Sequence, residues 1–162
     1  MVEQGGDRRE TVPLDDLDRR ILSVVQEDAS LSIERIAALV GSSKSPVWNR
    51  MRRLRERGVI AREVAVLDPA AVGRDEVFFV AVRTSRHEAD WLERFARAVR
   101  AMPEIEDAHR LAGETDYLLK VRVADTRAFD AFYKRLVAEV SMDSVTSSLS
   151  METLKSTTAI AL

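Results

Sequence analysis

The hydrophobic rhythm of this chain changes once, between about residues 61 and 76, and that change excludes any single repeating architecture. Ahead of it, Leu14, Leu17, Ile21, Val24 and Val25 recur at helical spacing, with Asp15, Asp16 and Asp18 where a helix N-terminus favours negative charge. A first helix running to about Glu27 or Asp28 follows. Ser32 reads as the N-cap of a second, short helix with Glu34 in its first turn and Ile33, Ile36, Ala37 and Val40 on one side. Gly41 ends it. A third helix starts at Ser42 or Ser43, tolerates Pro46 because first-turn amides have no intrahelical acceptor, and stops at Gly58. Two helices joined by a turn at Gly41 and Ser42, with a third in front, make a helix-turn-helix layout. Val59, Ile60 and the alternating Arg62 to Val66 predict a strand that serves as wing or hinge.

Beyond Asp68, Pro69 and Gly73 the order becomes strand, helix, strand, strand, helix, strand. Val77 to Arg83 is the first strand, and Trp91, Leu92, Phe95, Val99 and Met102 mark a helix over 88–102 that Pro103 closes. Ile105 to Ala112 and Tyr117 to Val123 flank a hairpin turn. Asp125 caps a second helix with Phe129, Phe132, Leu136 and Val140 inward, and 144–155 is the last strand. This is the split βαββαβ ferredoxin-like pattern. The fold class is therefore α+β: an N-terminal winged helix-turn-helix at 14–60, a hinge at 61–76, and a ferredoxin-like domain at 77–162. Residues 1–13, polar and closed by Pro13, read as a flexible tail. In VFFVAVR, Phe78 and Val80 point to one side of the sheet and Phe79 and Ala81 to the other, which predicts a homodimer through the uncovered face.

Charge narrows the function. From Lys44 to Arg62 there are seven basic residues against the single acid Glu56, a local +6 in a chain of net −2. One face is built to meet a polyanion. On the third helix Val47, Met51 and Leu54 form a buried stripe, and Ser45, Asn49, Arg50, Arg52, Arg53 and Arg57 fall opposite at about 100° per residue. A solvated basic surface helix is the plainer reading, but the acids that normally interleave such a face are missing along this helix. Double-stranded DNA is the expected partner. Lys44, Ser45 and Asn49 lie toward the N-terminal half as base-edge candidates, Ser43 at the helix start joins the DNA-facing set, and Arg52, Arg53 and Arg57 are phosphate clamps. Trp48, at the edge of the stripe, is either packed or stacked on DNA.

Other classes are excluded by what is missing. The sequence has no cysteine and two histidines, His87 and His109, without metal-ligand company, and it carries no HExxH, phosphate-cradling loop or nucleophile elbow. Neither a catalytic site nor a metal or cofactor is expected. No stretch reaches the ~20 apolar residues of a membrane span, so a cytoplasmic protein without membrane association is expected.

The residues also carry a family resemblance. Leu14-Asp15-Asp16-Leu17-Asp18-Arg19-Arg20-Ile21-Leu22, then Ile36-Ala37, Val40-Gly41-Ser42-Ser43, and Pro46-Val47-Trp48-Asn49-Arg50 through Leu54 to Gly58-Val59-Ile60 resemble the Lrp/AsnC (feast/famine) transcription regulators. Ala112-Gly113-Glu114-Thr115-Asp116-Tyr117-Leu118-Leu119-Lys120-Val121 is similar to the Gly-x-x-Asp-Tyr hairpin of that family's ligand-sensing RAM domain. The resemblance runs from residue 14 onward. It implies a DNA-binding regulator that takes an amino acid or related metabolite as small-molecule effector at the interface between RAM-domain dimers, and assembly to a tetramer or octamer. It assigns Gly113, Glu114, Thr115, Asp116 and Tyr117 to that site, with Thr146, Ser147 and Ser148 of the last strand as added hydroxyl partners. Asp116 can pair with an α-ammonium group, or it can simply bond neighbouring amides of a plain hairpin. An architectural DNA binder without effector response is the alternative.

Overall fold

In the computed structural model, which describes residues 11–86 and 88–162, helix α1 (Asp16–Glu27) starts from a reciprocal cap. Asp15 Oδ1 accepts the Asp18 N–H at 2.9 Å, and the Asp18 carboxylate accepts the Asp15 N–H at 3.4 Å. Helix α2 (Ile33–Leu39) starts at Ser32, whose Oγ accepts the Arg35 N–H. It ends where Gly41 takes φ 65°, a left-handed conformation that costs glycine nothing. That residue lets the Ser42 N–H reach back to the Ala37 carbonyl at 2.9 Å. Helix α3 (Lys44–Glu56) follows at once and closes in the same way, with the Val59 N–H on the Leu54 carbonyl at 2.9 Å and the Gly58 N–H on Arg55 at 3.0 Å. Two such closures fix the angle between α2 and α3 and the exit of the chain.

Ile21, Ile36, Val47 and Leu54 meet between these three helices with 0 or 1% of their surface exposed. Each such residue contributes roughly 1.5–3 kcal/mol. Among the described residues, 11–65 form one unit together with Lys155–Leu162, and those between Val66 and Leu154 form the other. Within the first unit Gln26 of α1 exchanges two hydrogen bonds with the Ile160 backbone. The predicted wing is corrected. Residues 61–68 pair with no strand among the described residues, and Val64, Val66 and Leu67 are exposed. Alternation suits a strand, but a strand forms only where a neighbour takes its hydrogen bonds. Of the predicted tail, residues 1–10 lie outside the described residues, as does His87.

The second unit runs β1 (Glu76–Arg83), α4 (Ala89–Ala101), β2 (Ile105–Arg110), β3 (Tyr117–Val123), α5 (Thr126–Glu139) and β4 (Ser144–Leu149). All pairings are antiparallel and the order across the sheet is β2-β3-β1-β4, the ferredoxin-like arrangement. The last strand stops at Leu149, short of the expected 155. Phe78, Val80 and Val82 of β1 and Leu119 and Val121 of β3 are buried with Trp91, Phe95, Phe132 and Leu136 of the two helices. Phe78 stacks on Phe129 at 3.8 Å, and Trp91 Nε1 donates to the Ser141 carbonyl at 2.7 Å, tying α4 to the connection between α5 and β4. The opposite face carries Phe79, still 41% exposed, as alternation predicts. No helix among the described residues is long and apolar enough to cross a membrane.

Candidate functional site

Helix α3 turns its apolar stripe, Val47, Met51 and Leu54, into the three-helix core, and this leaves Ser45, Asn49 and Arg52 outward. Lys44, Ser45, Trp48 and Asn49 line one shallow depression on that surface. The side chains of Ser45 and Asn49 have no hydrogen-bond partner among the described residues, so their donors and acceptors face solvent. Trp48 is 49% exposed rather than packed, and the Arg52 guanidinium lies over its ring at 4.8 Å. Ser43 is the N-cap of α3 and makes no side-chain cap bond.

The basic window is less free than its charge count implies. Lys44 pairs with Glu34 of α2, whose carboxyl is held below its ordinary range chiefly by that hydrogen bond. Arg55 pairs with Glu63 at 2.7 Å, and Arg52 Nε lies 3.7 Å from Glu56. Arg50 and Arg53, expected on the DNA face, turn instead to α1. Asp18, 1% exposed, accepts Arg50 Nη1 at 3.1 Å and Arg53 Nη2 at 2.7 Å, and Arg50 also bonds Asp15. Hydrogen bonds that Arg50 donates to Asp15 first and Asp18 second raise its pKa. The physical reason is position: residues 50 and 53 lie on the flank of α3 that abuts the start of α1, and a buried carboxylate there requires partners. Arg57 and Arg62 make no ion pair among the described residues.

A second cluster sits at one end of the sheet. Gly113, with φ 149°, turns the β2–β3 connection, and Asp116 ends it. Together with Glu114 they line a hollow of about 400 Å³ whose other walls are Arg83, Thr84, Ser85, Asp143 and Ser144. Sequence reasoning missed these five. Register places them: Val82 lies opposite Tyr117 and Arg83 opposite Ser144, so the end of β1 meets the starts of β3 and β4. Asp116 Oδ2 accepts the Thr84 N–H at 2.8 Å, and the Asp143 carboxylate accepts the Ser85 N–H. Three carboxylates and one guanidinium thus share the hollow, acceptors and a donor suited to the two charged ends of a small zwitterion.

The remaining assigned residues are elsewhere. Tyr117 is buried against Trp91 and Phe95, its ring in the core and its hydroxyl without a partner among the described residues; burial pushes its pKa up. Thr115 is half-buried and does not line the hollow. Thr146 and Ser148 pair with Ala81 and Phe79 on the uncovered sheet face, while Ser147 pairs with Val80 on the helix side. Consecutive strand residues cannot share a face, so these hydroxyls form no single cluster. Among the described residues no group of three His, Asp or Glu side chains is arranged to hold a metal ion.

Comparison with known proteins covers both units. A model described as the AsnC-type helix-turn-helix domain matches residues 14–55, and one described as the Lrp/AsnC ligand binding domain matches residues 77–160. The DNA-binding transcriptional activator DecR of Escherichia coli (strain K12) is 42% identical over 148 residues, which are 91% of this chain and 97% of that protein. The crystal structure of an AsnC family transcriptional regulator from Agrobacterium tumefaciens superposes with a TM-score of 0.88 at 43% identity, covering 91% of this chain and 97% of that one. A transcriptional regulator from Neisseria meningitidis, solved as a complex with L-Met, superposes with a TM-score of 0.88 at 33% identity, covering 92% and 97%.

Proposed function

The chain belongs to the Lrp/AsnC family, and we propose that it is a sequence-specific DNA-binding transcriptional regulator whose DNA affinity or oligomeric state responds to an amino acid or related metabolite. The observation that carries this reading is the outward surface of α3. Ser45 and Asn49 hold unpaired hydrogen-bonding groups beside Lys44 and the exposed Trp48, on a helix anchored from behind by Val47, Met51 and Leu54. Such a helix presents base-reading groups to a major groove, with Asn49 suited to adenine, while Lys44 reaches a guanine only by leaving its ion pair with Glu34. Arg52 and Arg57 supply phosphate contacts, and Ser43 sits where the first amides of α3 face an anion.

The hollow at the sheet end is the effector site in this reading. Glu114, Asp116 and Asp143 take the ammonium group and Arg83 the carboxylate of an amino acid. The half-exposed Phe79 on the uncovered sheet face supports a homodimer, and the resemblance supports assembly to a tetramer or octamer in the cytoplasm. Effector binding then shifts populations among assemblies and moves paired α3 helices relative to successive major grooves. A mobility-shift titration of the protein on the DNA upstream of its own gene, repeated with each amino acid, tests the reading. Retarded complexes that persist against random competitor and change with one class of amino acid are expected. Equal binding to any duplex, unaltered by every amino acid, is the result of an architectural binder and overturns it.

A further inference from the structure

Asp18 is the one charged side chain that is buried among the described residues, and besides its weak 3.4 Å bond from the Asp15 N–H of the α1 cap it sits beneath two guanidiniums of α3. Its two oxygens are divided between them, Oδ1 to Arg50 Nη1 at 3.1 Å and Oδ2 to Arg53 Nη2 at 2.7 Å. Asp15 adds a further bond to Arg50, so two carboxylates of the α1 start neutralise two arginines of α3. A carboxylate offers a guanidinium the same paired oxygens as a phosphate does. We propose that Asp18 is an internal stand-in for a DNA phosphate, a positioning residue that sets the roll of α3 and keeps Arg50 and Arg53 off the DNA backbone.

Holding these arginines off the backbone bears on specificity. Each arginine that meets a phosphate adds sequence-independent affinity and releases about one counterion, with a salt slope near 0.9 per contact on duplex DNA. With Arg50 and Arg53 held by a buried carboxylate, phosphate binding is left to residues such as Arg52 and Arg57. A larger share of the binding then comes from the outward groups Ser45 and Asn49, which read bases. The ion pair also joins the start of α1 to the middle of α3, so the recognition surface cannot roll without breaking two charged hydrogen bonds. This inference rests on the reading of α3 as the DNA-reading helix.

The test compares full-length wild type, Asp18→Asn and Arg53→Gln on operator and random duplexes of equal length between 50 and 200 mM salt. Asp18→Asn is expected to bind random DNA more tightly, with a salt slope steeper by about 1 to 2, and its operator-to-random ratio falls at least tenfold. A purely structural Asp18 gives instead a proportional loss on both duplexes with an unchanged slope, and that result overturns the proposal. Arg53→Gln decides the matter even if Asp18→Asn does not fold: its slope equals that of wild type if Asp18 already occupies Arg53. A slope shallower by about 1 means that Arg53 meets a phosphate in wild type, which contradicts the proposal. Absence of any salt-dependent duplex binding by wild type is a separate outcome and sinks the DNA reading together with this one.

Discussion

Asp116 Oδ2 accepts the backbone N–H of Thr84 at 2.8 Å, joining the turn before β3 to the end of β1. The same carboxylate lines the hollow with Glu114, Asp143 and Arg83, so it has a structural bond and a free face at once.

Two substitutions separate those roles. Asp116→Ala leaves the N–H of Thr84, which is 5% exposed, without its acceptor, and a loss of about 1–3 kcal/mol in unfolding free energy is expected. Asp116→Asn retains an oxygen acceptor but not the charge. It is expected to melt near wild type and yet lose the effector-dependent shift of DNA binding, measured by thermal denaturation and mobility shift. A retained effector response in Asp116→Asn removes the carboxylate from the ligand site.

Arg57 is exposed and has no ion pair among the described residues, in contrast to Arg50, Arg53 and Arg55. Arg57→Ala is expected to weaken binding to operator and random DNA alike and to make the salt slope shallower by about 1. Fluorescence anisotropy across a salt series measures both. An unchanged slope places Arg57 away from phosphates.

Phe79 and Phe132 lie on opposite sides of the sheet and predict different failures. Phe132 is 0% exposed, and Phe132→Ala is expected to cost about 3–5 kcal/mol in folding stability, read by denaturant titration. Phe79→Glu on the uncovered face is expected to leave the protomer folded but sediment as a monomer at micromolar concentration. Wild-type assembly by the Phe79 variant contradicts the sheet-face dimer.

Glu106 gives a pH signature. Burial pushes its carboxyl up, but hydrogen bonds from Arg122 and Lys120 outweigh this and hold it below the ordinary value near 4.5. Because the folded-state pKa is the lower one, the stabilisation is present above the unfolded value and is lost as pH falls through the folded value. Denaturant midpoints of wild type and Glu106→Gln are therefore expected to differ at pH 7 and to converge as pH drops below about 4.5. A constant difference across that range contradicts the ion-pair assignment.

Much of this was legible in the residues. Caps and closures are local chemistry, so Ser32, Gly41, Gly58 and Asp125 marked their helix ends without knowledge of tertiary structure. The strand over 62–66 was over-read because alternation is local while pairing is not. The ion pairs of Arg50 and Arg53 escaped notice for a related reason: counting charges along one helix cannot see Asp15 and Asp18 arriving from another. At the sheet end, the turn residues Gly113, Glu114 and Asp116 stood out as a motif. Arg83, Thr84 and Asp143 join them only through strand register.

The central claim, that the outward surface of α3 reads base sequence, is tested most directly at Asn49. Competition titrations of wild type and Asn49→Ala against operator and random duplex at one salt concentration measure the discrimination. The variant is expected to lose about 1–3 kcal/mol of it while its affinity for random DNA stays near that of wild type. Undiminished discrimination by Asn49→Ala contradicts the account.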